Sequence, residues 1–314
     1  MGLLIGMDEA GYGPNLGPLV VSLTAWRVPG DPRDSDLWST FDAIVDQSGQ
    51  RQPSHLHVAD SKDVYSPARG LLRLETAVHT GLRLAGIAAD SFHGLHSQLC
   101  HPAPHPLREP WHTPADLTLP RVADEQQVAE FRDDWSACCA AHNVTLTRIA
   151  SDVVQPSRFN ALTRQADSKG VALTRISLEL LRSVWDPDSD ERVLIIADKH
   201  GGRNRYDTFL EEVVDGQMIF RLQESQSCSR YRIGNTEIWF QTRAEQHLPV
   251  ALASMVAKYV RELSMELFNS FWCQRVPDLR PTRGYPVDAK RFRAEIANTQ
   301  RQLNIRDEDL WRAR

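Results

Sequence analysis

Long hydrophobic runs are missing from this 314-residue chain: no stretch approaches the roughly 18 consecutive apolar residues of a membrane span. A basic leader with a cleavage-type signal is also missing, so secretion is not expected and a cytoplasmic location is. Cysteine is sparse. Cys100, Cys138, Cys139, Cys228 and Cys273 form an odd set with no Cys-x-x-Cys pair, which argues against a disulfide framework and fits free thiols in a reducing compartment. Positive charge is not in excess either, since the formal net charge is -5. No internal repeat is found.

What remains is an ordinary globular composition, 41% hydrophobic and 25% charged, long enough for one large domain or two smaller ones. The charge is uneven. Residues 258–314 carry 12 Lys plus Arg against 8 Asp plus Glu, a basic excess that suits either a phosphate backbone or a solvated helix face.

Residues 3–7 and 19–26 read as two strands joined by a Gly/Pro turn, a hairpin. Residues 29–57 are polar and read as a surface insertion. Leu71, Leu74, Val78 and Leu82 predict a helix over 67–84, and 86–92 reads as a strand. Residues 93–124, dense in proline and histidine, read as a long excursion without regular structure. Cys100, His101, His105 and His112 lie there, but their spacing fits no standard zinc pattern. A helix is expected at 125–142, a strand at 144–149 and a core-facing helix at 170–185. The continuous apolar run at 193–197 predicts a strand covered on both faces. Further strands are expected at 218–222 and 236–242, then a helix through Val250 and Leu267 with Pro249 in its first turn. A last helix is expected near 288–302. Strands mixed with helices predict an α/β fold with a mixed central sheet flanked by helices.

The most informative stretch is Met7-Asp8-Glu9-Ala10-Gly11-Tyr12-Gly13-Pro14. Two adjacent carboxylates sit where the first strand is expected to stop. Asp198 ends the apolar run at 193–197 in the same way, and Glu245 precedes the helix that starts near Pro249. Ligands of open α/β sheets collect beyond strand ends. Four acids gathered there would repel one another unless a cation neutralised them, and Mg²⁺ takes oxygen ligands. Alone, an Asp-Glu pair more often marks a solvated surface turn.

These segments resemble the type 2 ribonuclease H family, ribonuclease HII and its relatives. Ile5-Gly6-Met7-Asp8-Glu9-Ala10-Gly11-Tyr12-Gly13-Pro14, with Gly17-Pro18-Leu19-Val20-Val21, is similar to the family's opening motif. Asp60-Ser61-Lys62 is similar to its Asp-Ser-Lys motif, and Phe159-Asn160 to the segment before its third acidic strand. Glu245-Gln246-His247-Leu248-Pro249-Val250, with Ala253-Ser254-Met255-Val256-Ala257-Lys258, resembles its fourth acidic position and following helix. Gly284-Tyr285-Pro286 resembles a motif near its C-terminus. The matches come in family order from residue 5 to about 295.

The resemblance implies a ribonuclease H-like catalytic domain at 1–270, with insertions at about 29–57 and 93–124, and a C-terminal helical extension at 271–314 packed on it. It implies a monomeric endonuclease that cuts the RNA strand of RNA–DNA hybrids, or ribonucleotides embedded in duplex DNA, leaving 5′-phosphates and using no membrane. Two Mg²⁺ or Mn²⁺ ions about 4 Å apart would be held by Asp8, Glu9, Asp198 and Glu245, the catalytic residues. Gly11, Tyr12, Gly13, Ser61, Lys62, Asn160, Lys258 and Tyr285 would contact substrate. Bland roles compete for several of these: a loop cap for Ser61 and Lys62, a turn or capping role for Asn160, a snorkelling side chain for Lys258, a half-buried core position for Tyr285. His200, beside Asp198, reads as a solvated loop histidine.

The chain departs from the family at three points. Gly11-Tyr12-Gly13 stands where the family has Gly-Arg-Gly, the segment whose backbone contacts the 2′-hydroxyl that distinguishes RNA from DNA. The fourth acid is Glu rather than Asp, and the two insertions are long. These departures motivate an alternative, a catalytically weak ribonuclease H-like protein that binds nucleic acid. A phosphohydrolase acting on a small phosphate ester is a third reading.

Overall fold

A computed structural model describes residues 1–100, 106–113, 115–166 and 168–312. Its strands are β1 (Gly2–Ala10), β2 (Leu19–Val28), β3 (Val45–Asp46), β4 (Leu56–His57), β5 (Thr145–Val154), β6 (Val193–Asp198), β7 (Ile219–Glu224), β8 (Cys228–Ile233) and β9 (Thr236–Gln241). Its helices are α1 (Leu37–Thr40), α2 (Ser61–Val64), α3 (Leu72–Leu84), α4 (Phe92–Leu99), α5 (Glu125–His142), α6 (Pro156–Ala166), α7 (Lys169–Arg182), α8 (Asp207–Glu211), α9 (Leu248–Cys273), α10 (Pro286–Gln302) and α11 (Asp307–Leu310).

Seven strands form one mixed sheet in the order β5-β2-β1-β6-β9-β8-β7, and β3 pairs with β4 apart from it. The central ladders β1–β6 and β6–β9 are parallel; the other four are antiparallel. This is the mixed α/β architecture that the sequence predicts.

Period-two alternation along β1 sorts its side chains between two cores. Leu4 and Ala10 join the layer built with α3, α5 and α9, while Leu3, Ile5 and Met7 face α7 on the other side. Asp8 shares its parity with the α9-facing set, and Glu9 with the opposite one. A third cluster, including Met265, Phe268 and Trp272 of α9 and Phe292 of α10, holds the C-terminal helices to the rest.

Helix α9 runs 26 residues with most of its length buried against β1 and β2. Gly6 permits that approach: a Cβ there would fall 2.3 Å from the Pro249 carbonyl carbon and 2.4 Å from the Val250 nitrogen. Thr24 Oγ1 donates to the Pro249 carbonyl at 2.8 Å, so the start of α9 is fixed against the sheet by packing and by one buried hydrogen bond.

Several expectations need correction. The first strand does not stop before Asp8 but continues to Ala10, because the β2 ladder pairs Asp8 with Ser22 and Glu9 with Val21. Residues 86–92 form no strand. Phe92 opens α4, and Phe92, Leu95 and Leu99 recur at helical spacing on its buried face. Thus 93–124 is not wholly irregular. The segment 29–57 is not merely superficial, since Leu37, Phe41, Val45 and Leu56 are core residues and Phe41 meets Trp26 and Trp135. Helix α6 and strand β8 were not anticipated. In β8, Ser229, Tyr231 and Ile233 point inward between arginines, so its alternation is masked by one small polar residue.

Candidate active site

Three neighbouring central strands bring acids to one end of the sheet. β1, β6 and β9 run parallel, with Met7 opposite Ala197 and Asp198 opposite Gln241. Asp8 is therefore one step from Asp198 across the ladder. Glu245 follows β9 in the short 3-10 turn Ala244–Gln246, just before α9. Asp8, Glu9, Asp198 and Glu245 all line one cavity of about 260 Å³.

The substrate-contact candidates divide. Gly11, Tyr12 and Gly13 lie on the cavity wall, as do Ser61, Lys62, Lys258 and Tyr285. Asn160 does not. It is buried, and its side-chain nitrogen donates to the carbonyls of Glu308 at 3.1 Å and Trp311 at 2.8 Å. It lies on α6 and anchors the C-terminal segment, so it is no substrate contact.

His200 is likewise not a solvated loop residue. It is buried, its Nδ1 lies 3.1 Å from Thr174 Oγ1, and burial pushes its pKa down to about 3. His112, within the excursion, is also buried, stacked on Phe92. His101 and His105 lie outside the described residues.

Three further residues join the cavity wall: Asp60, Ser254 and Arg261. Asp60 caps α2, accepting from the Lys62 backbone N–H at 3.1 Å. Ser254 donates to Ser61 Oγ at 3.2 Å, which ties α2 to α9. The signal for the α9 residues was present in the sequence. Ser254, Lys258 and Arg261 are polar positions at spacings of four and three in an otherwise apolar helix, hence one face.

The electrostatics follow from crowding of like charge. Burial, then the nearby Asp198 and Asp60 carboxylates, lift the Asp8 pKa to about 7, against hydrogen bonds from Ser254 and the Glu9 backbone N–H. Burial and the Asp8 charge hold Glu9 well above its ordinary value, and burial followed by Glu245 raises Asp198. Lys62 shows the complement. Burial works against its charge, yet Asp60, then Asp8 and Glu245, raise its pKa. Lys258 is less available, because its Nζ donates to Glu262 at 2.7 Å and lies over the Tyr65 ring. Tyr12 is half-buried, and burial followed by the Glu9 carboxylate raises its phenol.

Does this site suit a divalent cation? Among the described residues, no three His, Cys, Asp or Glu side chains stand close enough to form a ready cage. The donor set is nonetheless all carboxylate oxygen around one cavity, with mutual repulsion that a hard cation relieves. The residues fit such an ion by the chemistry of their donors, and closing a coordination sphere would take side-chain rotation, since no three of them form one as they stand.

The chain matches no known family model and no curated protein. Among solved structures, it aligns over 99% of its length with 94% of ribonuclease HII in a PCNA complex from Archaeoglobus fulgidus, at 15% identity and a TM-score of 0.46. Ribonuclease H2 from Pyrococcus horikoshii aligns over 98% of this chain and 92% of its own, at 13% identity and a TM-score of 0.43. A Bst ribonuclease HIII solved with Mn²⁺ aligns over 98% of this chain but 65% of its own, at 15% identity and a TM-score of 0.39. These are distant likenesses, and the functional reading below rests on the residues of this chain.

Proposed function

We propose that this chain is a divalent-metal-dependent endoribonuclease of ribonuclease H type, hydrolysing the RNA strand of RNA–DNA hybrids or ribonucleotides within duplex DNA. The observation that carries the reading is the gathering of Asp8, Glu9, Asp198 and Glu245 around one cavity whose wall also includes Lys62, Lys258 and Tyr285. Acids separated by up to 237 positions serve no packing purpose there. They are held together at an electrostatic cost, and a cation-dependent function explains why.

Asp8, Glu9, Asp198 and Glu245 would hold Mg²⁺ or Mn²⁺. Once bound, the metal supplies an activated water and neutralises charge on the leaving oxygen. Lys62, whose side chain is 86% exposed, pairs only loosely with Asp60 at 3.4 Å, and its ammonium can turn to a backbone phosphate beside the acids. The backbone N–H groups of Tyr12 and Gly13, which donate to no other described residue, are free for the substrate's sugar or phosphate. Tyr285, 54% exposed at the start of α10, is placed to stack against a sugar or base. In this reading residues 1–270 form the catalytic domain and 271–314 its extension, acting as a cytoplasmic monomer.

The test is a cleavage assay on a hybrid duplex and on a duplex with one embedded ribonucleotide, across Mg²⁺ and Mn²⁺. Metal-dependent nicking that Asp8→Asn abolishes is the expected result. Tight hybrid binding without nicking in either metal would instead favour a catalytically weak nucleic-acid-binding protein. The observation on that side is that, among the described residues, no three acids stand close enough to hold a metal ion as they are. Turnover of a small phosphate ester alone would sink both.

A further inference from the structure

The glycine turn at the cavity is held from behind by the far end of the chain. Arg312 is fully buried, and its Nη2 donates to the carbonyls of Gly11 and Pro14. Its backbone N–H donates to the Asn15 carbonyl at 2.8 Å, and Asn15 Nδ2 returns a bond to the Arg312 carbonyl at 3.3 Å. Trp311 and Leu16 form an isolated antiparallel bridge. The C-terminal segment thus meets residues 15 and 16 through a single backbone bridge and residues 11 and 14 through the Arg312 side chain, and Asn160 fastens that segment through the Glu308 and Trp311 carbonyls.

Arg312 is an expensive way to hold a turn. Among the described residues no carboxylate pairs with it, and its Nε and Nη1 have no hydrogen-bond partner. Its guanidinium lies 5.1 Å from the Phe159 ring centroid, and burial, then neighbouring Arg261, pull its pKa down to about 9. An uncompensated buried cation lowers stability. Its two side-chain bonds go to backbone carbonyls of the turn that carries the free Tyr12 and Gly13 N–H groups. Gly11 has φ +90°, open to glycine, and a Cβ there would fall 2.5 Å from Arg261 Nε and 2.6 Å from the Pro18 carbonyl oxygen, so the turn is closely packed as well as tied.

We propose that Arg312 is a positioning residue: with the strap at 308–312, it fixes the Gly11–Pro14 turn so that its unpartnered Tyr12 and Gly13 N–H groups meet the substrate in one geometry. The proposal rests on the nuclease reading for what the turn contacts, but the strap itself is tested without it.

The experiment compares wild type with Arg312→Ala, using amide hydrogen exchange of peptides spanning residues 10–18 and single-turnover cleavage of a hybrid in Mn²⁺. Exchange at Asn15 and Leu16, whose N–H groups donate to the Gly284 carbonyl, should rise about tenfold or more while the central sheet stays protected. Cleavage should slow by ~10²-fold, chiefly in kcat, as misplacement of a binding element predicts. Millimolar guanidinium should restore both in Arg312→Ala and change neither in wild type, a rescue that general destabilisation would not show. Arg312→Lys, which keeps a donor, should be intermediate, and Asn160→Ala should loosen the strap in the same direction if Arg312→Ala does not fold. Unchanged exchange at 10–18 in the folded variants would overturn the strap. Raised exchange with unchanged cleavage would overturn its role in positioning. A wild type that does not cleave would sink the nuclease reading, leaving the exchange and guanidinium arms to decide the strap.

Discussion

Lys258 Nζ donates to Glu262 Oε1 at 2.7 Å, one turn along α9, while Tyr65 OH donates to the other oxygen of that carboxylate at 2.8 Å. The lysine that lines the acidic cavity is therefore drawn toward its own helix. Removing the Glu262 charge releases it. Glu262→Gln should tighten hybrid binding severalfold at low salt and steepen the dependence of log K on log salt by about one. Lys258→Met should weaken binding and flatten the slope by a similar amount. Fluorescence-anisotropy titrations at several salt concentrations measure both, and a salt slope indifferent to either change would remove Lys258 from the substrate groove.

Asp8→Asn should cost at least ~10³-fold in cleavage, as expected for loss of several kcal/mol of metal-assisted stabilisation. The sign for stability is opposite. Asp8 has its folded pKa raised to about 7, so in metal-free protein its ionisation destabilises the fold as pH rises from about 4 through 7. Without metal, Asp8→Asn should therefore melt higher than wild type at pH 8. Adding Mg²⁺ or Mn²⁺ should raise the wild-type Tm and leave the variant nearly unmoved. Differential scanning fluorimetry with and without chelator gives the answer, and a metal response equal in both proteins would contradict the assigned ligand.

Two glycines should respond very differently to one added methyl. At Gly6 the new Cβ would collide with the backbone at the start of α9, which cannot yield without moving the helix from the sheet. Gly6→Ala should cost about 2–3 kcal/mol of unfolding free energy. At Gly13 nothing lies within 4 Å and φ is not positive, so Gly13→Ala should stay within about 0.5 kcal/mol. Urea denaturation tests the contrast.

Buried histidines should make part of the acid sensitivity. Burial depresses His200 and His112 to about 3, so each stays neutral in the fold while the unfolded chain protonates below about 6.5. Each should remove roughly 1.4 kcal/mol per pH unit between about 6 and 3, with no effect above 7. The acidic site works the other way over part of that range. The readout is therefore the difference in slope between wild type and His112→Phe, whose ring stays apolar against Phe92. Equal slopes from pH 7 to 5 would refute the assignment.

Much of the architecture could be read before any coordinates. Apolar periodicity located α5 and α7, and the run at 193–197 located β6, because burial against the core leaves a regular trace in sequence. α6, with three buried residues, and β8, with serine in an inward position, leave a weaker trace. The acids at 8, 9, 198 and 245 stood out because carboxylates beside buried strands are rare without a purpose. Asn160 was misread because its partners lie 148 and 151 positions away, a distance no local pattern carries.

By itself, then, the sequence determined which side chains bear charge and which strands and helices carry them, since both are local properties. Only the tertiary structure decided that β1, β6 and β9 lie side by side and parallel, that Glu262 holds Lys258, and that Arg312 returns to Gly11 from 301 positions downstream. Those outcomes depend on strand order and on the path of the C-terminal segment, which are set by the packing of the whole chain.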